Sequence, residues 1–251
     1  PILPCSKQTF TFVYVVKIPD AKFTKYGFDN EGSIVLKNWY LNPSRIEHKH
    51  FIKASNENID DIPNAFSDFE IEFELPSNSA LSSNLHEINT VNSSNTKIIS
   101  LKATNKSEAV LAIQQKNTYQ NYKNEIIEVS CGIEDNNVKD IDKELVFDKI
   151  SRFTASKLGL PIATKIIITQ EDYSRQPFYG LNQLPSFLSP FSDHLIYELK
   201  FLKTYLNNYL KENLNLNNRR DYWIHDGIQM LVMMQYLDTY YPNLKITGTI
   251  A

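Results

Sequence analysis

The octet Asp68 to Leu75 (DFEIEFEL) constrains this chain more than any other stretch. Apolar and acidic side chains alternate without a break. In an extended strand, Phe69, Ile71, Phe73 and Leu75 therefore share one face, and Asp68, Glu70, Glu72 and Glu74 the other. Such a pattern predicts a half-buried antiparallel strand with one wet face, closed by Pro76-Ser77-Asn78. Neighbouring segments read the same way: Thr9 to Ile18 (TFTFVYVVKI), Ser33 to Leu41, Lys97 to Ala103, Ala109 to Gln114 and Glu125 to Cys131. The polar run Asn89 to Asn95 reads as a loop between them. Many short strands separated by turn residues predict an antiparallel β-sandwich over residues 1–140.

Past Asp140 the periodicity changes. Glu144 to Leu158 carries Leu145, Phe147, Ile150, Phe153, Ala155 and Leu158 at helical spacing, with Gly159 as the stop. Lys165 to Thr169 (KIIIT) is a compact strand, and Tyr179 to Leu188 a further candidate interrupted by Pro185. Two long helices follow. The first, Asp193 to Leu210, has a stripe of Leu195, Leu199, Leu202, Leu206 and Leu210, with Tyr197, Phe201 and Tyr205 beside it. The second, Tyr222 to Tyr240, is apolar nearly all round, which predicts full burial; Met230, Met233 and Met234 belong to its core. The expected class is α+β: a sandwich, then a mixed sheet-and-helix unit over residues 141–251.

Composition narrows the function. With 251 residues, 42% hydrophobic and 22% charged, the chain has ample material for a core and is not a disordered segment. A net charge of -3 and the lack of a Lys/Arg stripe argue against nucleic acid as a partner. No apolar run approaches the roughly 20 residues of a membrane-spanning helix. Two cysteines, Cys5 and Cys131, allow one disulfide without requiring it, and seven glycines are too few for Gly-rich phosphate loops. Starting at Pro1, the sequence reads as a processed chain or as part of a longer chain or complex.

Four short motifs occur in a telling order: KIIIT, then GLNQL (Gly180 to Leu184), then YELKF (Tyr197 to Phe201), then WIHDG (Trp223 to Gly227). In this order the second half resembles the opening of the catalytic domain of the aminopeptidase N family of gluzincin metallopeptidases. That family runs strand, GxMEN loop, HExxH helix and a second helix with a glutamate ligand. FEIEFELPSNSALSSN resembles a strand and proline-led turn of the preceding domain. The resemblance implies a β-sandwich followed by an incomplete thermolysin-like catalytic unit. It also implies a secreted or cell-envelope location.

The same resemblance locates the departures. Two histidines four residues apart on a helix can hold one Zn²⁺ while the intervening glutamate activates water. Here only Glu198 remains, as a relic general base or a paired polar residue, with Lys200, Arg219 or Arg220 as candidate partners. Tyr197 and Phe201 stand at the histidine positions, and Asp226 at the third ligand. Gly180, Asn182 and Gln183 fall in the substrate-binding loop, where Gln183 replaces the glutamate that holds the substrate amine. Neutral glutamine forfeits about 1.5–3 kcal/mol of a charge-assisted contact.

The resulting expectation is a pseudopeptidase without zinc that binds a peptide or protein partner. Two alternatives stay open. His194, Glu198 and Asp226, with His225 nearby, could form a displaced zinc site of an active metallopeptidase; His194 otherwise is a polar residue of the first helical turn. The chain could instead be a non-enzymatic envelope interaction module. His48 and His50, expected on one strand face, lack a third ligand, and His86 has no companions. Cys131 lacks an ordered histidine partner and reads as a strand-end cysteine.

Overall fold

The computed structural model describes residues 6–52, 62–178 and 191–244. The alternating octet forms the middle of β5 (Ser67–Pro76), whose residues switch between half-buried and exposed along its length. It pairs antiparallel with β8 (Thr96–Lys106), which pairs in turn with β7 (His86–Asn92). The expected loop at 89–95 is thus largely an edge strand; only the turn after Asn92 is free of pairing. Its polar side chains suit an edge with one solvated face.

A second antiparallel sheet has the order β1 (Gly27–Phe28), β2 (Ile34–Leu36), β9 (Leu111–Gln114), β6 (Ala80–Ser83). Leu75, Ile99 and Leu101 from the first sheet and Leu111 from the second share one hydrophobic cluster, joined by Trp39, Phe69 and Phe73. Val110 and Ala112 point the other way, into a cluster with Tyr26, Val35, Tyr119 and Ile167. A short hairpin, β3 (Ile46–Glu47) with β4 (His50–Phe51), stands apart.

Ile167 belongs to the third sheet, in which β10 (Gln120–Lys123) pairs antiparallel with β11 (Glu128–Cys131), and β11 pairs parallel with β12 (Lys165–Ile168). The run KIII is buried on both sides. Ile166 and Ile168 face the helices, while Ile167 faces the second sheet, which is why this strand carries no alternation. A parallel pair needs a crossover, and α2 (Asp140–Leu158) supplies it. Asp140 and Asp142 sit in its first turn, where the helix dipole favours them, and Gly159 ends it at φ 95°. Val146, Phe147, Ile150 and Phe153 face the core. Leu145, expected in the stripe, is exposed.

Of the remaining helices, α1 (Ala21–Thr24) and α3 (Gln170–Arg175) are short, while α4 (Asp193–Asn213) is largely buried, packed against β12, α2, α3 and α5 (Asn218–Tyr240). The architecture is therefore mixed α+β, with several antiparallel sheets and five helices among the described residues. No helix of the described residues is long and apolar enough to cross a membrane.

Three other expectations fail. Thr9 to Ile18 forms no strand, and Val13 and Val15 lie almost fully exposed, because no other described strand offers the segment a ladder. His48 and His50 do not share a strand face, since His48 occupies the β3–β4 turn at φ 47°. Finally, α5 is not buried all round: Val232, Met233 and Tyr236 face inward, but Met230 and Met234 are exposed.

Candidate functional site

Helix α4 begins at an N-cap, Ser192, whose hydroxyl accepts from the Leu195 amide, and Asp193 follows in the first turn. The leucine stripe is buried throughout. The aromatic stripe next to it packs against the third sheet. Phe201 lies 6.2 Å from Tyr197 and 6.0 Å from Tyr205, centroid to centroid, and meets Tyr122 edge-on at 6.5 Å. Tyr197 and Phe201 are fully buried. Burial, with the nearby Cys131 and Tyr122, pushes the Tyr197 phenol far above its usual range. Phe201 has no donor atom, and the Tyr197 oxygen is held in its neutral form inside the core. These two positions do not fit a zinc ion.

Glu198 projects toward α2 and α5. Its carboxylate is fully buried, yet each oxygen has partners. Oε1 meets Lys149 Nζ at 2.5 Å and accepts from the Tyr236 hydroxyl. Oε2 accepts from Tyr241 at 2.7 Å and stands 3.5 Å from His194 Nδ1. Burial first, and the Glu198 charge next, hold both phenols well above the ordinary tyrosine range, so they remain donors. Lys149 also lies 5.6, 5.1 and 5.5 Å from the ring centroids of Tyr236, Tyr240 and Tyr241, within cation–π reach of all three. Lys149, from α2, is the cation paired with Glu198, rather than Lys200, Arg219 or Arg220. Neither Lys149 nor the tyrosines at the end of α5 could be linked to Glu198 by local pattern, because they lie about 40 or more residues away.

The other candidates scatter. Asp226 is exposed on α5, and its charge acts on Lys203. His225 is buried, with Nε2 3.3 Å from the Asn207 carbonyl oxygen and its ring stacked on Tyr222. The structure thus brings His194 to Glu198 and sets Asp226 on an exposed face. Among the described residues, no group of three or more His, Cys, Asp and Glu side chains is gathered to hold a metal. Cys131 ends β11 and is buried, which raises its thiol to about 11. His86 pairs with the Thr164 hydroxyl at 2.8 Å. Gly180, Asn182, Gln183 and Cys5 lie outside the described residues.

A second polar cluster escaped sequence reading. Lys37 Nζ is 2.5 Å from Asp172 and 3.7 Å from Glu108, and Lys211 Nζ is 2.8 Å from Glu108, all near or fully out of solvent. Tyr26 donates to Asp172 at 2.8 Å. Burial works against every charge here, but the pairs prevail: Lys37 titrates well above, and Asp172 and Glu108 below, their usual ranges. Asp172 Oδ2 and His225 Nδ1 have no hydrogen-bond partner among the described residues. They border a cavity of about 20 Å³, large enough for one water. Beyond Lys37 opens an apolar groove of about 560 Å³, lined by Tyr14, Val16, Leu36, Trp39 and Phe73 among others.

No family model matches the chain, and no curated protein matches it either.

Proposed function

We propose that the chain is an aminopeptidase N-like gluzincin scaffold that has lost zinc-dependent peptide hydrolysis and binds a peptide or protein instead. In this reading residues 1–140 are the β-sandwich and residues 141–251 a partial thermolysin-like unit. The observation that carries it is the state of Glu198. A general base of this family needs a free carboxylate oxygen facing a metal-bound water. Glu198 instead spends Oε1 on Lys149 and Tyr236, and Oε2 on Tyr241. The motif's glutamate has become an internal anchor joining three helices, and the two ring residues at the ligand positions fill the adjoining core.

Binding would use the apolar groove beside Trp39 and Phe73, whose lining suits apolar side chains of an extended segment. The family resemblance carries a secreted or envelope location with it. The rival reading, a displaced zinc site, draws support only from the 3.5 Å approach of His194 to Glu198. Dialysis against zinc followed by elemental analysis, with an aminoacyl-anilide hydrolysis assay, separates the two. Less than stoichiometric metal and no chelator-sensitive turnover are expected. One zinc per chain that disappears in Glu198→Gln, along with turnover, would overturn the proposal.

A further inference from the structure

Asp172 and His225 line one small cavity from different helices. In α3 the cap residue Thr169 accepts from the Asp172 amide, which sets Asp172 in the first turn. His225 stands one turn past Asp221, where α5 departs from helical backbone angles. The two residues are only 5% and 4% exposed. Each has committed one polar atom. Asp172 Oδ1 accepts from Lys37 and Tyr26, and His225 Nε2 lies 3.3 Å from the Asn207 carbonyl oxygen. Their second atoms, Asp172 Oδ2 and His225 Nδ1, have no hydrogen-bond partner among the described residues. A buried polar atom in that condition has given up its hydration for nothing in return.

The contacts already made fix what these two atoms can do. A carbonyl oxygen only accepts, so the ring proton of His225 is on Nε2. Burial holds the imidazole below its usual range, and the ring is neutral at pH 7 with Nδ1 as a bare lone pair. Burial opposes the charge on Asp172, but Lys37 and Tyr26 keep it ionised, so Oδ2 also only accepts. The occupant of the cavity must therefore offer protons to two acceptors. At about 20 Å³ the space admits one species the size of water. Lys37, Arg175 and Lys211 line the same cavity, with Asp172 as its one carboxylate, so a cation there meets repulsion.

We infer that this cavity is the binding site of a single water molecule, which donates one proton to Asp172 Oδ2 and the other to His225 Nδ1. The site stands independently of the pseudopeptidase reading. With the water in place, hydrogen bonds run unbroken from Lys37 through Asp172 and His225 to the Asn207 carbonyl of α4. The buried ion cluster is thereby tied to α5, and His225 is locked in one tautomer.

A crystal structure of the full chain that resolves single waters tests the site. One fully occupied water is expected within about 2.7–3.2 Å of both Asp172 Oδ2 and His225 Nδ1. Rubidium or zinc soaked into the crystals should leave no anomalous signal there. In solution, magnetic relaxation dispersion of water should count one long-lived internal water fewer in His225→Phe than in wild type, with unchanged far-ultraviolet dichroism. A dry cavity overturns the inference, as does an anomalous scatterer at the site or a water bonded to only one of the two atoms. So does a folded His225→Phe chain that keeps the wild-type count.

Discussion

Replacing Glu198 with glutamine tests whether this residue anchors the fold or waits for chemistry. The amide keeps the shape but turns one acceptor oxygen into a donor. That donor has to face Tyr241, because the opposite orientation would set it against the Lys149 ammonium 2.5 Å away. Even in the better orientation Lys149 loses its counter-charge. Breaking a buried ion pair by removing one partner destabilises by about 3–5 kcal/mol. Lys149 keeps partial solvent access, with 29% of its side chain exposed, and retains its three aromatic neighbours, so the lower end applies: about 3 kcal/mol. For a chain of this size that is a fall of about 6–12 °C in melting temperature. Urea unfolding followed by tryptophan fluorescence measures the loss directly. The double variant Lys149→Met with Glu198→Gln removes the stranded ammonium while leaving an amide oxygen to accept from Tyr236, and should recover most of it. A Glu198→Gln protein as stable as wild type, or more stable, would refute the reasoning. Groups held for chemistry behave that way when released.

Three further outcomes follow from the geometry. Burial holds the His225 imidazole below its usual range, so the unfolded chain binds the extra proton first. His225 therefore contributes stability that is fully present above about pH 6.5 and lost as the pH falls from there toward its folded pKa. Urea unfolding across this window should show a shallower pH slope in His225→Gln, while His86, shifted in the same direction, stays in both proteins. Gly227→Ala should stabilise the single chain by about 0.5–1 kcal/mol in thermal unfolding at low concentration, because the new Cβ meets no atom within 4 Å. The Cys131 thiol, raised to about 11 by burial, should resist a thiol reagent at pH 8 in a Cys5→Ser background and react once urea unfolds the chain.

Local periodicity made much of the fold legible. The Asp68–Leu75 alternation gave the strand and its wet face, and Gly159 and the leucine stripe of α4 gave helix ends and burial. Failures came where a long-range partner decides. TFTFVYVVKI has strand-forming residues, but a strand exists only with a ladder, and strand propensity is a preference for a pleated, half-buried surface. The polar segment at 86–92 is the reverse case: β8 supplies the ladder that its own composition does not advertise. The inward face of α5 could not be told from its outward face, because both are apolar. At the candidate site, the helix bearing Glu198 was readable and its neighbours were not. Glu198 and its leucine flanks sit on one amphipathic pattern, but Lys149, Tyr236 and Tyr241 meet it only through tertiary packing. Lys37 and Asp172 lie 135 residues apart and leave no local trace of their pairing.

The buried quartet at the junction of sheets and helices bears on the order in which the chain can finish folding. Lys37 and Glu108 come from the part translated first, and Asp172 and Lys211 from the part that follows. Until α4 has left the ribosome, closing the early layers over Lys37 and Glu108 would seal ions in a dry place with half their counter-ions not yet made, at several kcal/mol each. The nascent sheets must therefore keep that side wet. When the late helices arrive, only the docking that delivers both opposite charges to their mates can expel the water.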